Sequence, residues 1–243
     1  MIAIKSKNLC KKYGDITAVE NLNLEIREGE LFALLGINGA GKSTTVKMLA
    51  CLASPSSGDA ELMGKSILTD AFEIKGMIGV SPQNTAIAPN LTVEENLDFL
   101  CGMYGLSGDA AKERKSELIS EFSLDEVLSR RASKLSGGWQ RRLSIALALI
   151  GKPKILFLDE PTLGLDVIAR SELWDTVRTL KGNTTIILTT HYMEEAEALS
   201  DRIGIMKDGR LIALGSAEEL KREAECDKFE DAFVKIVKGE LEK

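Results

Sequence analysis

The stretch FALLGINGAGKSTT, residues 32–45, constrains the fold of this 243-residue chain more than any other segment. An apolar run leads directly into a glycine-rich loop, and the loop leads directly into a segment of helical character. The loop matches the spacing G-x-x-x-x-G-K-[ST] through Gly36, Gly41, Lys42 and Ser43. A strand, a glycine loop and a helix in this order favour an α/β protein with a parallel sheet.

This loop predicts a binding site for the phosphates of a nucleotide. Glycine lets backbone N–H groups converge on phosphate oxygens because no Cβ atom intervenes, and the helix N-terminus adds partial positive charge. We expect Lys42 to reach the β and γ phosphates and the Ser43 hydroxyl to bind Mg²⁺. The alternative, an ordinary glycine turn, is disfavoured by the strand and helix on either side. The loop residues predicted to bind nucleotide are Gly36, Asn38, Gly39, Ala40, Gly41, Lys42 and Ser43.

A second segment, KILFLDEP, predicts the acidic part of the same site. Four apolar residues precede Asp159 and Glu160, which stand where a parallel strand reaches its carboxyl end. Ligands of α/β sheets collect at that edge. We expect Asp159 to hold Mg²⁺ through water and Glu160 to orient or deprotonate the attacking water as general base. A solvated turn would explain an isolated Asp-Glu pair, but the phosphate loop favours the functional interpretation.

A second glycine turn, LSGGWQRR, opens another predicted helix. Ser136, Gly137 and Gly138 would present a hydroxyl and free backbone N–H groups at a helix N-terminus, an arrangement that suits an anion. Because the first loop already holds the phosphates, a second anion site makes sense if it contacts a nucleotide bound by another copy. A plain glycine-rich N-cap is the alternative.

The only histidine of the chain, His191, ends the apolar segment TTIILTTH. A single histidine is more often a polar residue at the end of a strand than a catalytic group. We expect this strand to lie about two strand positions from KILFLDE in the sheet.

The remaining pattern describes an α/β chain with a helical insertion. Residues 2–35 indicate short strands joined by polar turns, and residues 92–150 are mainly helical, opening with a predicted capping box from Thr92 to Glu95. KILFLDEP and TTIILTTH are typical of buried parallel strands. IGIMKDGRLIALG predicts a hairpin, and a second capping box is predicted from Ser216 to Glu219.

Charge and composition limit the partners. A formal charge of −6 gives no general attraction to nucleic acid or anionic lipid, so no nucleic-acid partner is expected and phosphate must be held locally. The longest apolar runs are far shorter than the roughly 20 residues that span a bilayer, so no direct membrane span is expected. One histidine and four scattered cysteines argue against a zinc site and favour free thiols in a reducing cytoplasm.

Five motifs together resemble the ATP-binding cassette (ABC) ATPases: GINGAGKST, the glutamine of GVSPQN, LSGGWQRRLSIA, ILFLDEPTLGLD and TTH. Their order and spacing match that family over residues 2–220. The resemblance implies a P-loop NTPase core with a mainly parallel sheet, an N-terminal antiparallel β subdomain and a helical insertion. It implies an ATPase domain over 1–220, with a helical subdomain at about 88–150, and a short C-terminal helical tail over 221–243.

Members of this family work as head-to-tail pairs with two ATP molecules between them. The resemblance therefore implies ATP and Mg²⁺ as ligands, and a second ABC ATPase subunit, identical or a sister chain, as partner. Ser136, Gly137 and Gly138 would close over the γ-phosphate bound to the opposite subunit. Asp166, in LGLD, resembles the acidic residue that crosses the dimer interface.

The same resemblance completes the catalytic site within one chain. Tyr13 corresponds to an aromatic residue that stacks on adenine, and Thr44 joins Lys42 and Ser43 at the phosphates and Mg²⁺. Gln83 resembles the glutamine that touches Mg²⁺ and the attacking water and links the site to a transmembrane partner. His191 would contact the γ-phosphate, so the resemblance reverses the interpretation of that residue from strand end to catalytic group.

Two positions depart from the family pattern. Ile37 stands where proline is frequent, and because the side chain there does not hold phosphate we expect no functional effect. Trp139 stands where glutamine is commonest. A tryptophan there would alter dimer closure, alter a partner contact or change the packing, and we favour the packing change.

The stretch LGLDVIARSELWDTVRTL and the tail FEDAFVKIV resemble subunits that power export of a drug, lipid or polysaccharide-like substrate. The resemblance implies a separate transmembrane permease that docks near Gln83 and the helical block, and hence a position on the cytoplasmic face of the membrane. One alternative is an ABC ATPase with a mechanical or regulatory role on ribosomes or DNA. A GTPase or small-molecule kinase would leave LSGG unexplained, and a module without hydrolysis would not need Glu160 and His191.

Overall fold

The computed structural model describes residues 1–240, and its elements alternate between strands and helices for most of the chain. The strands are β1 Ile2–Tyr13, β2 Ile16–Arg27, β3 Leu31–Leu35, β4 Ser57–Leu62, β5 Lys65–Ser66, β6 Ile78–Ser81, β7 Ile155–Asp159, β8 Thr185–Thr190, β9 Arg202–Lys207 and β10 Arg210–Gly215. The helices are α1 Lys42–Leu49, α2 Ala71–Met77, α3 Val93–Met103, α4 Gly108–Glu121, α5 Gly137–Leu149, α6 Val167–Leu180, α7 Met193–Leu199, α8 Ala217–Glu223 and α9 Phe229–Lys238.

The main sheet has the strand order β10-β9-β3-β8-β7-β6. From β9 to β6 every neighbouring pair is parallel, and β10 joins β9 as the predicted antiparallel hairpin. Side chains of β7 alternate between the two faces: Leu156 and Leu158 pack into one core, and Ile155 and Phe157 into another. The sheet is therefore covered on both sides, as the continuous apolar runs predict.

The expected distance between the two strands of the site was wrong. β8 is the direct neighbour of β7, and Asp159 pairs in register with Thr189. Both strands are apolar on both faces, so their residue pattern contains no signal for the order in which they pair. As neighbours, they bring the residues after their carboxyl ends, Glu160 and His191, into direct contact.

A separate antiparallel sheet, of order β2-β1-β4-β5, covers one face of the main sheet together with α1. β1 and β2 have 12 residues each, so these strands are longer than the short strands predicted. Register shifts along the β1–β2 pair let the ribbon bend over the core. The apolar run before the glycine loop, the last of the strands predicted in residues 2–35, does not join this sheet and becomes β3 at the centre of the main sheet.

The helical block covers the opposite face. Its predicted capping box is confirmed, since Thr92 Oγ accepts from Glu95 N–H and the Glu95 carboxylate accepts from Thr92 N–H. Leu97, Leu118 and Phe122 are fully buried between α3, α4 and α5, in one core with Leu158 of the sheet. In the described part of the chain, 1–240, no helix combines the length and the apolar character needed to cross a membrane.

The C-terminal helices pack on the face of the main sheet at β3 and β9. Phe229, Phe233 and Ile236 of α9 share a core with Leu35 and Ile205. The predicted capping box at Ser216 and Glu219 is confirmed at the start of α8. The division at residue 220 remains a prediction, and residues 241–243 of the predicted tail lie outside the described residues.

Candidate active site

The glycine loop between β3 and α1 has a backbone that side chains would obstruct. Gly41, the N-cap of α1, has φ 101°, and a Cβ atom there would lie 2.5 Å from the carbonyl oxygen of Ala18. At Gly36 a Cβ atom would lie 2.5 Å from the Met206 carbonyl oxygen. No side chain caps the N-terminus of α1, and its first turn carries no acidic residue. The free N–H groups and the positive end of this helix therefore face the loop.

Lys42 lies inside this loop. Its ammonium group donates to the carbonyl oxygens of Gly36, at 2.7 Å, and Ile37, at 3.2 Å. Glu160 Oε1 lies 3.7 Å from the same nitrogen. Burial lowers the pKa of Lys42, while the charge of Glu160 acts in the opposite direction. The structure thus holds a buried cation at the centre of an anion-sized cradle.

Ser43 and Asp159 form an oxygen-rich pair beside this cation. The Ser43 hydroxyl donates to Asp159 Oδ1 at 2.9 Å, and the Thr189 hydroxyl donates to the same oxygen at 2.5 Å. Asp159 is buried, with 8% of its surface exposed. A hydroxyl and a carboxylate are hard oxygen donors of the kind that Mg²⁺ prefers. These residues therefore fit the ion that the sequence predicts.

Glu160 and His191 form a close pair at the ends of β7 and β8. His191 Nδ1 lies 3.0 Å from Glu160 Oε2. Glu160 has the left-handed backbone angle φ 48°, which is uncommon for a residue with a side chain. Its N–H group donates to the carbonyl oxygen of Thr189 at 3.0 Å and to the Thr189 hydroxyl at 3.1 Å, which holds this conformation in place. Backbone strain of this kind is concentrated at functional sites.

These groups line one open cavity of about 530 Å³. The cavity also brings in Tyr13 from the antiparallel sheet and Gln83 from the segment after β6, two residues that lie far apart in the sequence. Gly36 and Asp159 do not line the cavity, but each accepts a hydrogen bond from a residue that does: Gly36 from Lys42, and Asp159 from Ser43. The lining residues are Tyr13, Ala18, Asn38, Gly39, Ala40, Gly41, Lys42, Ser43, Thr44, Gln83, Glu160, Leu163 and His191.

The other predicted site residues form a second group that does not line this cavity. Ser136 is the N-cap of α5, but its side chain makes no capping hydrogen bond. Asp166 caps α6 by accepting from the Ala169 N–H at 2.9 Å. A Cβ atom at Gly138 would lie 3.2 Å from Cβ of Ala169, so the glycine turn packs closely on the start of α6. Within one chain, Ser136, Gly137, Gly138 and Asp166 are not brought to the phosphate loop.

The two departures from the family pattern occupy different environments. Ile37 is half exposed, and its side chain makes no part of the cavity lining. Trp139 packs against the core of the helical block, and the Arg142 guanidinium lies over its ring at 5.0 Å. Arg142 also pairs with Glu172 at 2.6 Å. These contacts support the interpretation that Trp139 changes the packing.

Three buried polar residues near the site were missed from the sequence: Thr189, Arg141 and Glu195. Arg141 of α5 donates to the carbonyl oxygens of Pro82 and Gln83, both at 2.7 Å, and thereby holds the segment that carries Gln83. Burial lowers the pKa of Arg141. The sequence contains one signal for a buried Arg141: it lies in the same helix as the apolar run LSIALALI. Such a helix is apolar around most of its circumference and must be largely buried, together with the polar residues that it carries.

Comparison with known proteins gives consistent relatives. A family model described as ABC transporter matches residues 19–163. The probable multidrug ABC transporter ATP-binding protein YbhF of Escherichia coli (strain K12) is 40% identical over 240 residues, which cover 96% of this chain and 41% of that protein. The daunorubicin resistance ATP-binding protein DrrA3 of Streptomyces coeruleorubidus is 41% identical over 90% of this chain and 70% of its own length.

A third relative, the Nod factor export ATP-binding protein I of Burkholderia orbicola (strain AU 1054), is 41% identical over 93% of this chain and 75% of its own length. Among solved structures, an ATP-binding subunit of an ABC transporter superposes with a TM-score of 0.85 at 29% identity, over 96% of this chain and 99% of the other. A dimeric ATP-binding cassette in a post-hydrolysis state with ADP and Pi superposes with a TM-score of 0.79 at 30% identity, over 88% and 98%.

Proposed function

The chain belongs to the ABC transporter family, and on that premise we propose that it hydrolyses ATP to power export through a separate membrane permease. One observation carries the proposal: Lys42, Glu160 and His191 converge on one cavity bounded by a phosphate loop. An ion pair that served only folding would have no need of the glycine cradle beside it.

We propose a separate role in hydrolysis for each of these residues. Loop N–H groups and Lys42 bind the phosphates of ATP, and Tyr13 stacks on adenine. Glu160 accepts a proton from the attacking water or aligns it, and His191 holds Glu160 and the γ-phosphate in line. Because Lys42 is buried, its attraction for developing phosphate charge is weakly screened by water.

Ser43, Gln83 and Asp159 are the residues that would hold Mg²⁺. When bound, the ion neutralises charge on the transferred phosphoryl group. The Ser43 hydroxyl contacts Asp159 at 2.9 Å, so these two oxygen donors lie side by side.

We propose that two copies, or this chain and a sister chain, close head to tail around two nucleotides. Support comes from Ser136, Gly137 and Gly138, which form a glycine turn at the N-terminus of α5. These residues do not line the cavity of their own chain. In the partner's site these N–H groups would meet the γ-phosphate, and Asp166 would cross the interface. A similar cassette has been solved as a dimer with ADP and Pi, which supports a dimer of this chain.

The export assignment and the permease rest on relatives and on one surface. Relatives are named for multidrug transport, daunorubicin resistance and Nod factor export, and we propose a drug, lipid or polysaccharide-like cargo for this chain. Phe99 and Met103 of α3 expose 55% and 69% of their surfaces, on the helical block that follows Gln83. We propose that the permease docks there, with this chain on the cytoplasmic face of the membrane.

The variant Glu160→Gln tests the catalytic assignment. Because it keeps the shape of the side chain but cannot accept the proton, it should bind ATP normally, accumulate as an ATP-bound dimer and hydrolyse about 10²- to 10⁴-fold more slowly. Steady-state phosphate release and size-exclusion chromatography measure both effects. Glu172→Gln, which alters a surface ion pair, is the matched control. Normal turnover by Glu160→Gln would remove Glu160 from the role of general base.

A further inference from the structure

A lysine lies over the one aromatic ring that the antiparallel sheet contributes to the cavity. Lys11 Nζ stands 4.9 Å from the centroid of the Tyr13 ring, so a positive charge faces the π surface of that ring. Tyr13 lines the cavity and exposes 49% of its surface, whereas Lys11 is not part of the lining. The two faces of the ring therefore differ, because Lys11 occupies one of them and the other is free to meet a ligand.

The ammonium group of Lys11 is anchored on the segment that follows the helix of the phosphate loop. Lys11 Nζ donates to the carbonyl oxygen of Ser54 at 2.6 Å, 43 positions later in the chain. A backbone contact joins the same two segments, since Ser56 N–H donates to the carbonyl oxygen of Cys10 at 2.8 Å. Both residues come after α1. The strand that carries Tyr13 is thereby linked to the C-terminal end of the phosphate-loop helix.

Regular strand pairing does not fix the end of β1 that carries Tyr13. Register shifts lie on both sides of Lys11, between Leu9 and Lys11 and between Lys11 and Lys12. Irregular pairing of this kind bends a strand and changes the direction of its side chains. Beyond it, Tyr13 pairs with Ile16, which exposes 71% of its surface. The direction of the Tyr13 ring therefore depends on side-chain contacts, and the cation of Lys11 supplies one.

We propose that Lys11 is a positioning residue for the base of the nucleotide: its anchored ammonium group holds the Tyr13 ring from one face, so that the other face receives adenine. A ring that is already held loses less conformational entropy when a base stacks on it. The role toward adenine rests on the proposed function, but the contact between Lys11 and Tyr13 is measurable without a nucleotide.

The first measurement follows the Tyr13 ring by NMR in nucleotide-free protein that carries labelled tyrosine. The chain has three tyrosines, and the set of signals lost in Tyr13→Leu identifies the ring of Tyr13. Lys11→Met keeps an unbranched side chain but removes the charge and the hydrogen bond to Ser54, so it should shift the Tyr13 ring signals. Lys12→Met removes the charge of the neighbouring exposed lysine and is the matched control, which should leave those signals in place.

The second measurement compares the binding of ADP with that of inorganic pyrophosphate, which lacks the base, by calorimetry. Lys11→Met should raise the Kd of ADP about 2- to 5-fold, the loss expected for a cation–π contact at an exposed site, and leave the Kd of pyrophosphate unchanged. Lys11→Arg, which keeps a cation over the ring, should restore the wild-type Kd of ADP. In a Tyr13→Leu background, Lys11→Met should have no further effect, because Lys11 acts through the ring.

Tyr13 signals that do not move in Lys11→Met would overturn the proposal. So would an equal loss of affinity for ADP and pyrophosphate, because Lys11 would then attract phosphate in general. A loss of ADP affinity as large in the Tyr13→Leu background as in the wild type would also overturn it. If the ring signals respond as expected but the wild-type chain binds no ADP, the failure lies with the proposed function.

Discussion

Removing one hydroxyl group, in Thr189→Val, removes an anchor that Asp159 and Glu160 share. Thr189 is fully buried, and its side chain donates to the Asp159 carboxylate at 2.5 Å and accepts from Glu160 N–H at 3.1 Å. The substitution conserves volume, so no cavity contributes. Glu160 N–H keeps the Thr189 carbonyl oxygen, and Asp159 keeps Ser43. The main loss is one hydrogen bond to a charged group, about 1.5–3 kcal/mol.

That loss predicts a fall in Tm of about 3–12 °C for a domain of this size, measured by calorimetry together with urea unfolding. The matched control is Thr185→Val on the same strand, where the buried hydroxyl accepts only from the neutral N–H of Gly29, at 3.0 Å. A neutral bond contributes about 0.5–1.5 kcal/mol. If Thr189→Val destabilises the protein no more than Thr185→Val, the hydroxyl does not stabilise the Asp159 charge, and the shared-anchor reasoning fails.

Three further predictions address the loop, the second cluster and the buried acid. Gly41→Ala should lower both Tm and ATP affinity, measured by calorimetry, more than Gly39→Ala, because a Cβ atom at Gly41 would lie 2.5 Å from the Ala18 carbonyl oxygen whereas a Cβ atom at Gly39 would meet nothing within 4 Å. Equal effects would contradict this. Ser136→Ala should weaken ATP-dependent dimerisation in size-exclusion chromatography and leave nucleotide binding by the single chain unchanged; loss of that binding instead would refute the assignment to the partner's site. Because burial raises the pKa of Glu195 above 4.5, the folded chain keeps a proton that the unfolded chain releases, so the wild type should lose stability relative to Glu195→Gln as pH rises from 4.5 towards the raised value. Urea unfolding across that range measures it, and parallel pH profiles would mean that Glu195 is ionised in the folded protein.

Local patterns determined much of what the sequence could predict. The phosphate loop, the alternation of strands and helices and both capping boxes depend on residues close in the chain, where spacing carries the information. The pairing of β7 with β8 depends on contacts between distant segments. Two strands that are apolar on both faces pair equally well in several orders, so the direct contact of Glu160 with His191 became visible only in the folded chain.

Buried polar residues escaped prediction for a related reason. Thr189 and Glu195 are ordinary members of a strand and a helix by composition, and their importance comes from neighbours more than ten residues away. The sequence predicts Thr189 as part of a buried apolar strand, which is correct, but its hydroxyl is what joins Asp159 to the backbone of Glu160. A polar residue inside such a run predicts a hydrogen bond to an acidic residue at the end of a neighbouring strand, because a buried carboxylate needs donors.

The distribution of unused polar groups supports the proposal that catalysis requires two chains. At the cavity, each charged side chain already has a partner from its own chain: Lys42 has loop carbonyls, Asp159 has Ser43, and Glu160 has His191. At the second group the reverse holds, since Ser136 caps no N–H group of its helix and the glycines after it leave their N–H groups uncovered by side chains. Val167 and Ile168, next to Asp166, expose 78% and 72% of their surfaces. A cavity whose charged groups are paired within their own chain, and a distant surface with free donors flanked by exposed apolar side chains, would be complementary halves of the proposed pair. The proposed head-to-tail pair would bring each half to the other, and it would do so twice.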